Sequence, residues 1–320
     1  MNSKKYRIGW VVEAKWPYRN VMASTRIRCL DINKFLRSKG FDSDLYKSYK
    51  KYDVLIFQKA FSEDHFKIAQ KMVNKGCKII LDINVNYFEK SGKTKQVTEK
   101  HIDDLHKFLT LTDVVLTSSE FLKTIAEKFH PKVSYIPEHI STIGNYLPKK
   151  ISRPVKLLYC GYAVKAADVL FIEDVITELT KEHALEFFFV CEKDPHVRLP
   201  IETSFVKYDD KDLANTLRKG DIKVAPRKLD NSYDLGHSFT KIGYPMSVGL
   251  PVVASPVPSY KGSPALLAET REDWLRHVKT LLSNKEKYEK LSQDGIEFVN
   301  ENYSLNKIGN MYINLFEDIF

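Results

Sequence analysis

Long hydrophobic runs and clustered cysteines are both missing from this chain of 320 residues. Apolar runs such as Leu185–Cys191 fall far short of the roughly 20 residues that a transmembrane helix needs. The four cysteines are scattered without Cys-x-x-Cys or Cys/His ligand spacing, which argues against a zinc site and a disulfide framework. The first apolar stretch follows two lysines but is too short for a signal peptide. We therefore expect a cytoplasmic protein with reduced thiols, no metal site and no transmembrane segment.

Acidic residues are scarce in the first half of the chain, which makes this half basic. Through residue 150 there are 28 Lys and Arg against 16 Asp and Glu, whereas the remainder has 22 against 25. A basic surface attracts anionic partners such as phospholipid headgroups, a lipid pyrophosphate or nucleic acid. Lysines that only solvate helices would produce the same excess. The charge distribution favours an anionic partner for the first half without requiring one.

Short apolar runs alternate with amphipathic stretches through the first half, which is typical of a doubly wound α/β domain. Ser24 is expected to cap the helix after the first strand, and Ser118 and Ser119 lie at the expected start of the helix after the fifth, where one of them would cap it. The pattern predicts six parallel strands, at residues 6–12, 41–46, 53–58, 78–83, 113–117 and 133–136.

Polar side chains follow the first and fourth of these strands, at the edge where α/β sheets bind ligands. Arg19, Arg26 and Arg28 follow the first strand and are candidate substrate ligands, unless they form only a basic helix face. Asp82 leaves the sheet at the fourth strand, where it is a candidate base or a ligand that orients a sugar hydroxyl, unless it only caps a helix or a turn.

The second half repeats the α/β pattern around one stretch, residues 221–260. This stretch predicts a buried strand, a polar loop, a helix over 238–248, a Gly-Leu-Pro helix stop and a further strand. In such a β-α-β unit the loop after the first strand and the start of the helix lie at the ligand-binding edge. The strands of the second half are predicted at residues 156–160, 185–191, 204–206, 222–225 and 252–254, with a helix over 166–179.

Cations and helix N–H groups converge at this predicted edge, which is favourable for a phosphate group. Arg227 lies in the polar loop, and Lys241 and the backbone of residues 238–240 open the helix. Lys165, just after the strand-Gly turn of the first strand in this half, is a further candidate. Each of these residues alone is as consistent with a solvated surface, so the prediction depends on their combination.

Pro, Gly and Lys clusters without apolar periodicity mark a linker between the two halves. We predict an N-terminal domain over 1–145, a linker over 146–154 and a second domain over 155–303. Residues 304–320 form an amphipathic C-terminal helix, for which packing against the N-terminal domain is one arrangement.

The sequence FTKIGYPMSVGLPVVAS at residues 239–255 resembles GT-B glycosyltransferases, in particular those similar to glycosyltransferase family 4. TDVVLTSSEFL before the linker and LLYCGY after it support the resemblance. The resemblance implies an α/β protein with two tandem Rossmann-like, doubly wound domains, a cleft between them and a C-terminal helix. The N-terminal domain would bind the acceptor, and the C-terminal domain a nucleotide sugar.

The resemblance also implies which residues would bind the donor. Lys165, Arg227 and Lys241, with Ser238, Phe239 and Thr240, would hold the diphosphate of a nucleotide sugar, for which a UDP-sugar is favoured. No metal or other cofactor is implied. Arg19, Arg26 and Arg28 would be acceptor ligands.

The chain departs from the family at two acidic positions, which fall on Gly236 and Tyr244. His237 is the candidate to take over a contact with the donor sugar, with Asp234 as an alternative, and Asp82 is the candidate base. The stereochemistry of transfer, retaining or inverting, stays open.

Three functions are consistent with the resemblance and with the charge distribution. The first is a glycosyltransferase acting on an anionic or membrane-associated acceptor, a lipid-linked or polysaccharide intermediate, with peripheral contact at the inner membrane face. The second is a phage-type enzyme that glycosylates a modified DNA base. The third is a non-catalytic nucleotide-sugar-binding protein.

Overall fold

The computed structural model describes residues 6–13, 22–90 and 97–320. Its internal contacts divide the chain into two units. The candidate ligand Arg19 lies outside the described residues. The first unit comprises Met1–His139, Asp230–Ser238 and Leu305–Phe320, and the second comprises Ile140–Leu229 and Phe239–Ser304.

Six parallel strands form the sheet of the first unit, in the order β2-β1-β3-β4-β5-β6. Their side chains are largely buried on both faces, which is why the sequence shows near-continuous apolar runs. All six predicted strands are confirmed to within one residue at each end. They are β1 Arg7–Val12, β2 Asp42–Leu45, β3 Val54–Gln58, β4 Lys78–Ile83, β5 Val114–Thr117 and β6 Val133–Tyr135.

A second sheet of six parallel strands lies in the second unit, in the order β12-β11-β10-β7-β8-β9. Five of its strands are predicted, whereas β12 is too short to give a sequence signal. They are β7 Val155–Cys160, β8 Leu185–Cys191, β9 Glu202–Lys207, β10 Ile222–Ala225, β11 Val252–Ala254 and β12 Leu266–Leu267.

Helices connect these strands. A π-helical segment, Arg26–Leu30, lies between the first two α-helices, and a 3₁₀ helix, Ala163–Ile172, precedes α6. The α-helices are α1 Ala23–Thr25, α2 Asp31–Ser38, α3 Glu63–Val73, α4 Glu99–Leu109, α5 Glu120–Ala126, α6 Glu173–Leu179, α7 Leu213–Arg218, α8 Ser232–Leu235, α9 Thr240–Ser247, α10 Arg271–Ser283, α11 Lys285–Tyr303 and α12 Leu305–Ile319.

Some helix predictions needed correction. Ser24 lies inside α1 rather than at its cap, because the helix already begins at Ala23. The helix predicted over 166–179 is observed as the end of the 3₁₀ helix, up to Ile172, followed by α6 over Glu173–Leu179. By contrast, Ser119 caps α5, accepting a hydrogen bond from the backbone N–H of Leu122 at 3.2 Å. Gly249 follows α9 with φ +84°, so the predicted helix stop is confirmed.

The C-terminal helix α12 packs on one face of the first sheet. Ile308, Tyr312 and Phe316 are buried in the cluster that contains Trp10 of β1. The rings of Trp10 and Tyr312 have centroids 6.0 Å apart. Since burial of such side chains contributes about 1.5–3 kcal/mol each, the final helix is an integral part of the first unit.

Candidate functional site

The order of the second sheet reverses between β7 and β10. At such a point the two following segments leave on opposite faces of the sheet and open a crevice for ligands. β7 continues into Gly161 and the 3₁₀ helix, and β10 continues through Pro226 to Arg227. The residues predicted to bind an anion therefore include side chains that follow both strands of this reversal.

Two lysines meet at the ring of Tyr159, which is fully buried at the end of β7. The Nζ of Lys241 in α9 lies 4.8 Å from the ring centroid and 3.3 Å from the Tyr159 hydroxyl. The Nζ of Lys223 in β10 lies 4.7 Å from the same centroid. An ammonium group over an aromatic ring is attracted by the negative face of the ring, so Tyr159 organises both amines.

Arg227 adds a guanidinium group to this cluster. It is 8% exposed, and its backbone N–H donates to the Ser255 Oγ at 2.9 Å. Burial holds the pKa of Lys241 well below its usual value, and repulsion from Arg227 and Lys223 lowers it further. Asp168 in the 3₁₀ helix acts in the opposite direction on this pKa. The cluster is thus electropositive and desolvated, and a bound anion would relieve the repulsion.

Glycine is required where the chain leaves β7. A Cβ at Gly161 would lie 2.8 Å from the Tyr159 hydroxyl and 3.4 Å from the Lys241 Nζ. Any side chain there would push the hydroxyl or the amine aside. The strand-Gly turn noted in the sequence therefore makes room for Lys241.

The other predicted diphosphate ligands differ in their surroundings. Lys165 lies in the 3₁₀ helix, at whose start the Glu192 carboxylate already accepts from the Ala163 N–H at 3.0 Å. The Phe239 ring is buried and stacks on Tyr303 with centroids 4.3 Å apart, so only its backbone can contact a ligand. Thr240 begins α9, where the positive end of the helix dipole lies.

Ser238 precedes α9 and belongs to the first unit. Its hydroxyl donates to the Glu138 Oε2 at 2.5 Å, and the Asn84 amide donates to the other oxygen of the same carboxylate at 3.1 Å. His237, also in the first unit, meets the Tyr233 ring edge-on, and its Nε2 lies 3.7 Å from the Asp234 Oδ1. His237 and its sequence alternative Asp234 are therefore adjacent.

Arg28 and Asp82 form a buried ion pair in the first unit, with 1% and 0% of their side chains exposed. The Arg28 Nε donates to both carboxylate oxygens at 2.8 and 2.9 Å, and its Nη1 donates to the Ile136 carbonyl at 2.8 Å. Burial raises the pKa of Asp82, although Arg28 opposes the shift. This geometry does not fit the expectation of a solvent-facing base and acceptor ligand, because the two side chains satisfy each other inside the protein.

Arg26 is more accessible than Arg28, with 20% of its side chain exposed. It lies 3.7 Å from the Asp31 carboxylate, which also contacts the His139 Nε2 at 3.1 Å. Of the two predicted acceptor arginines within the described residues, Arg26 is therefore the one whose position is compatible with a ligand.

A cavity of about 230 Å³ lies in the first unit, lined by Glu13 and Lys59, which follow β1 and β3. The order of the first sheet reverses between these two strands. Lys59 has φ +55°, a conformation that is uncommon for non-glycine residues and that is enriched at functional sites. Its Nζ lies 3.9 Å from the Glu13 carboxylate, so charge is balanced on this side of the cavity. None of the residues that line this cavity is among the predicted site residues.

Two histidines line the same cavity in equivalent helix positions. The Nδ1 atoms of His65 and His101 accept the backbone N–H of Ser62 and Thr98, at 3.3 and 3.2 Å. In the neutral ring the proton is then on Nε2, which is a hydrogen-bond donor. Burial lowers the pKa of His65, which keeps it neutral. With the Tyr87 ring also in the lining, the cavity suits a neutral, hydroxylated group such as a sugar ring.

Within residues 6–13, 22–90 and 97–320, no three His, Cys, Asp or Glu side chains are arranged to hold a metal ion. No helix in those ranges combines the length and apolar character needed to cross a bilayer. All four cysteines are free thiols.

Solved structures of glycosyltransferases share this architecture over the whole chain. Sucrose-phosphate synthase from Thermosynechococcus elongatus matches 98% of this chain and 99% of its own, with a TM-score of 0.71 and 12% identity. A glycosyltransferase from Rickettsia africae matches 99% of both chains, with a TM-score of 0.70 and 13% identity. Anabaena HepE in complex with UDP-glucose matches 98% of this chain and 100% of its own, with a TM-score of 0.69 and 10% identity. The fold is GT-B.

The GT-B fold confirms the predicted fold class of two parallel α/β sheets with a C-terminal helix. At 10–13% identity the likeness shows the fold alone. No protein-family model and no curated protein sequence matches the chain. Membership of glycosyltransferase family 4 therefore stays a prediction.

Proposed function

We propose that the protein transfers a sugar from a nucleotide-diphosphate donor, for which we favour a UDP-sugar, to an acceptor bound by the first unit. The observation that carries this proposal is the cluster of Lys241, Arg227 and Tyr159 at the reversal of the second sheet. The same fold occurs in a protein solved with UDP-glucose, which supports the choice of donor.

The proposed chemistry depends on negative charge that develops on the leaving group. As the bond between sugar and diphosphate breaks, the departing nucleotide gains charge, and preplaced cations stabilise it. Arg227 is buried and Lys241 is half-buried, so beside a bound diphosphate both attract it more strongly than solvated cations would. Lys165 and the start of α9 would add to this stabilisation without an obligatory metal ion.

The acceptor is proposed to place a neutral sugar in the cavity between Lys59, Tyr87 and His101. Basic residues of the first half, with Arg26 among them, would hold an anionic part of the acceptor, such as a lipid pyrophosphate. A lipid-linked or polysaccharide intermediate has both features, and peripheral contact with a membrane would follow. Of the two predicted catalytic residues, His237 remains the candidate, since Asp82 is engaged by Arg28.

Two alternatives keep specific support. The basic first half would also suit DNA, so glycosylation of a modified base is a second candidate. Gly236 and Tyr244 stand where the family has glutamates, which is the reason to consider a non-catalytic nucleotide-sugar-binding protein.

A panel of nucleotide sugars tests the proposal. A donor that binds only the folded state raises the melting temperature, and a UDP-sugar is expected to give the largest shift. The same donor is then incubated with the protein, and release of UDP is followed. Release above a buffer blank excludes the non-catalytic alternative, whereas a panel without any shift contradicts the proposed donor site.

A further inference from the structure

Lys223 is a buried lysine in the middle of an apolar strand. It pairs with Leu158 of β7 and Val252 of β11, so β10 is covered on both sides at this residue. The side chain is fully buried, and its Nζ has no hydrogen-bond partner among the described residues. Buried ammonium groups are costly unless they are paired, so an unsatisfied one calls for a physical reason.

The surroundings of Lys223 point to an anionic ligand. Its Nζ shares the Tyr159 ring with Lys241, 4.7 and 4.8 Å from the ring centroid. The groups that act on its charge are the thiols Cys160 and Cys191 and the guanidinium of Arg227. Burial and repulsion from Arg227 therefore disfavour the ammonium form, and the two thiols offset little of this while they are protonated.

We propose that the amine of Lys223 is a third ligand of the diphosphate, beside Lys241 and Arg227, and that above pH 8 it takes up a proton from solvent when the diphosphate binds. The inference rests on the proposed function, since it assumes a nucleotide diphosphate at this site. The amine lone pair gains one proton, and no other bond changes. Above pH 8 the amine is neutral in the unliganded protein, which limits the repulsion within the cluster.

The pH dependence of UDP affinity follows from the pKa of Lys223 in the unliganded protein. Burial lowers the pKa of Lys223 to about 8. A phosphate group next to the ammonium raises this pKa, so affinity is highest below pH 8 and falls as pH rises above it. Lys241 also has a lowered pKa and contributes its own proton. The contribution of Lys223 to proton uptake is therefore measured as the difference in uptake between the wild type and a variant that lacks only this amine.

Calorimetric titration with UDP at pH 9, in two buffers of different ionisation enthalpy, measures proton uptake directly. We expect Lys223→Met to take up about one proton fewer than the wild type and to bind UDP about tenfold more weakly at pH 7. The variant should melt no lower than the wild type, because methionine fills a similar volume without a buried amine. Lys223→Arg keeps a fixed charge and should bind UDP without the extra proton.

The outcomes separate this inference from the proposed function. If UDP does not bind the wild type, the donor site itself is refuted. If UDP binds the wild type but proton uptake and affinity are the same in Lys223→Met, Lys223 is only a packed core residue and the inference is overturned, while the donor site stands. If Lys223→Met does not fold, absence of proton uptake by the wild type at pH 9 overturns the inference equally.

Discussion

Two lysines share one aromatic ring in the second unit, and neither behaves as a surface lysine. Lys223 is completely buried, and burial with repulsion from Arg227 lowers the pKa of both Lys223 and Lys241. Cations that lie together in apolar surroundings are unfavourable, and a bound anion offsets this cost. The individual residues therefore favour an anion site over a structural role for the cluster.

The sequence allowed prediction of only part of this site. Arg227 and Lys241 were predicted because they lie at the loop and helix start of a β-α-β unit. Lys223 and Tyr159 were not predicted as site residues. The apolar pattern of a strand indicates that its side chains are buried, but it does not show which side chains of neighbouring strands contact each other. The Arg28–Asp82 pair was missed for the same reason, since its members are 54 positions apart.

Asp82→Asn tests whether Asp82 is structural or catalytic. The substitution leaves the buried Arg28 charge without its carboxylate, so we expect unfolding in urea to show a loss of about 3–5 kcal/mol. The double variant Arg28→Met, Asp82→Leu should lose less, because no charge remains buried. If Asp82→Asn abolishes sugar transfer while its unfolding midpoint is unchanged, Asp82 regains its predicted role as base.

The strands were the elements that the sequence determined best. Each predicted strand is an apolar run between turn residues, and such runs are specific when both faces of a sheet are buried. The π-helical segment, α8 and the two-residue strand β12 have no such pattern and depend on tertiary contacts. Helix starts were less accurate than strands, because Ser24 is a good cap by type but lies within the helix.

The packing of α12 on the first sheet gives a prediction at the scale of an element. A Cβ at Gly309 would overlap the Phe35 ring of α2, which is itself buried. We expect Gly309→Ala to reduce the free energy of unfolding by about 1–3 kcal/mol, as overpacking does. Thermal or urea unfolding measures this.

Gly295→Ala in α11 is the matched control. Its Cβ would meet the Met246 side chain at 3.4 Å, an ordinary contact. The substitution should be neutral or stabilising by up to about 1 kcal/mol, because alanine has the higher helix propensity. Equal stability of the two variants would show that α12 does not approach α2 as closely as the structure indicates.

At the scale of the whole molecule, the basic charge of the chain lies in its first half. Residues through 150 carry 28 Lys and Arg against 16 Asp and Glu, whereas the remainder has slightly more acidic than basic residues. The sequence thus predicts that the first half is attracted to anions, but charge alone does not distinguish a lipid from a nucleic acid.

Binding to anionic vesicles and to duplex DNA, each across a salt series, distinguishes the two acceptor classes. We expect retention on phosphatidylserine vesicles that falls as ionic strength rises, because exposed charges are screened. Neutral phosphatidylcholine vesicles are the control and should not retain the protein. DNA binding that exceeds vesicle binding at equal ionic strength would favour a modified DNA base over a lipid-linked acceptor.

The most direct test of the central claim is calorimetric titration of UDP into the wild type, Lys241→Ala, Arg227→Ala and Lys219→Ala at pH 7. Lys219 is an exposed lysine just before the opposite end of β10, so it controls for the loss of one positive charge. We predict that Lys241→Ala and Arg227→Ala each weaken binding by about 1–3 kcal/mol, the range for charge-assisted hydrogen bonds, and that Lys219→Ala does not. The same UDP affinity in all four proteins would contradict a donor diphosphate site at the reversal of the second sheet.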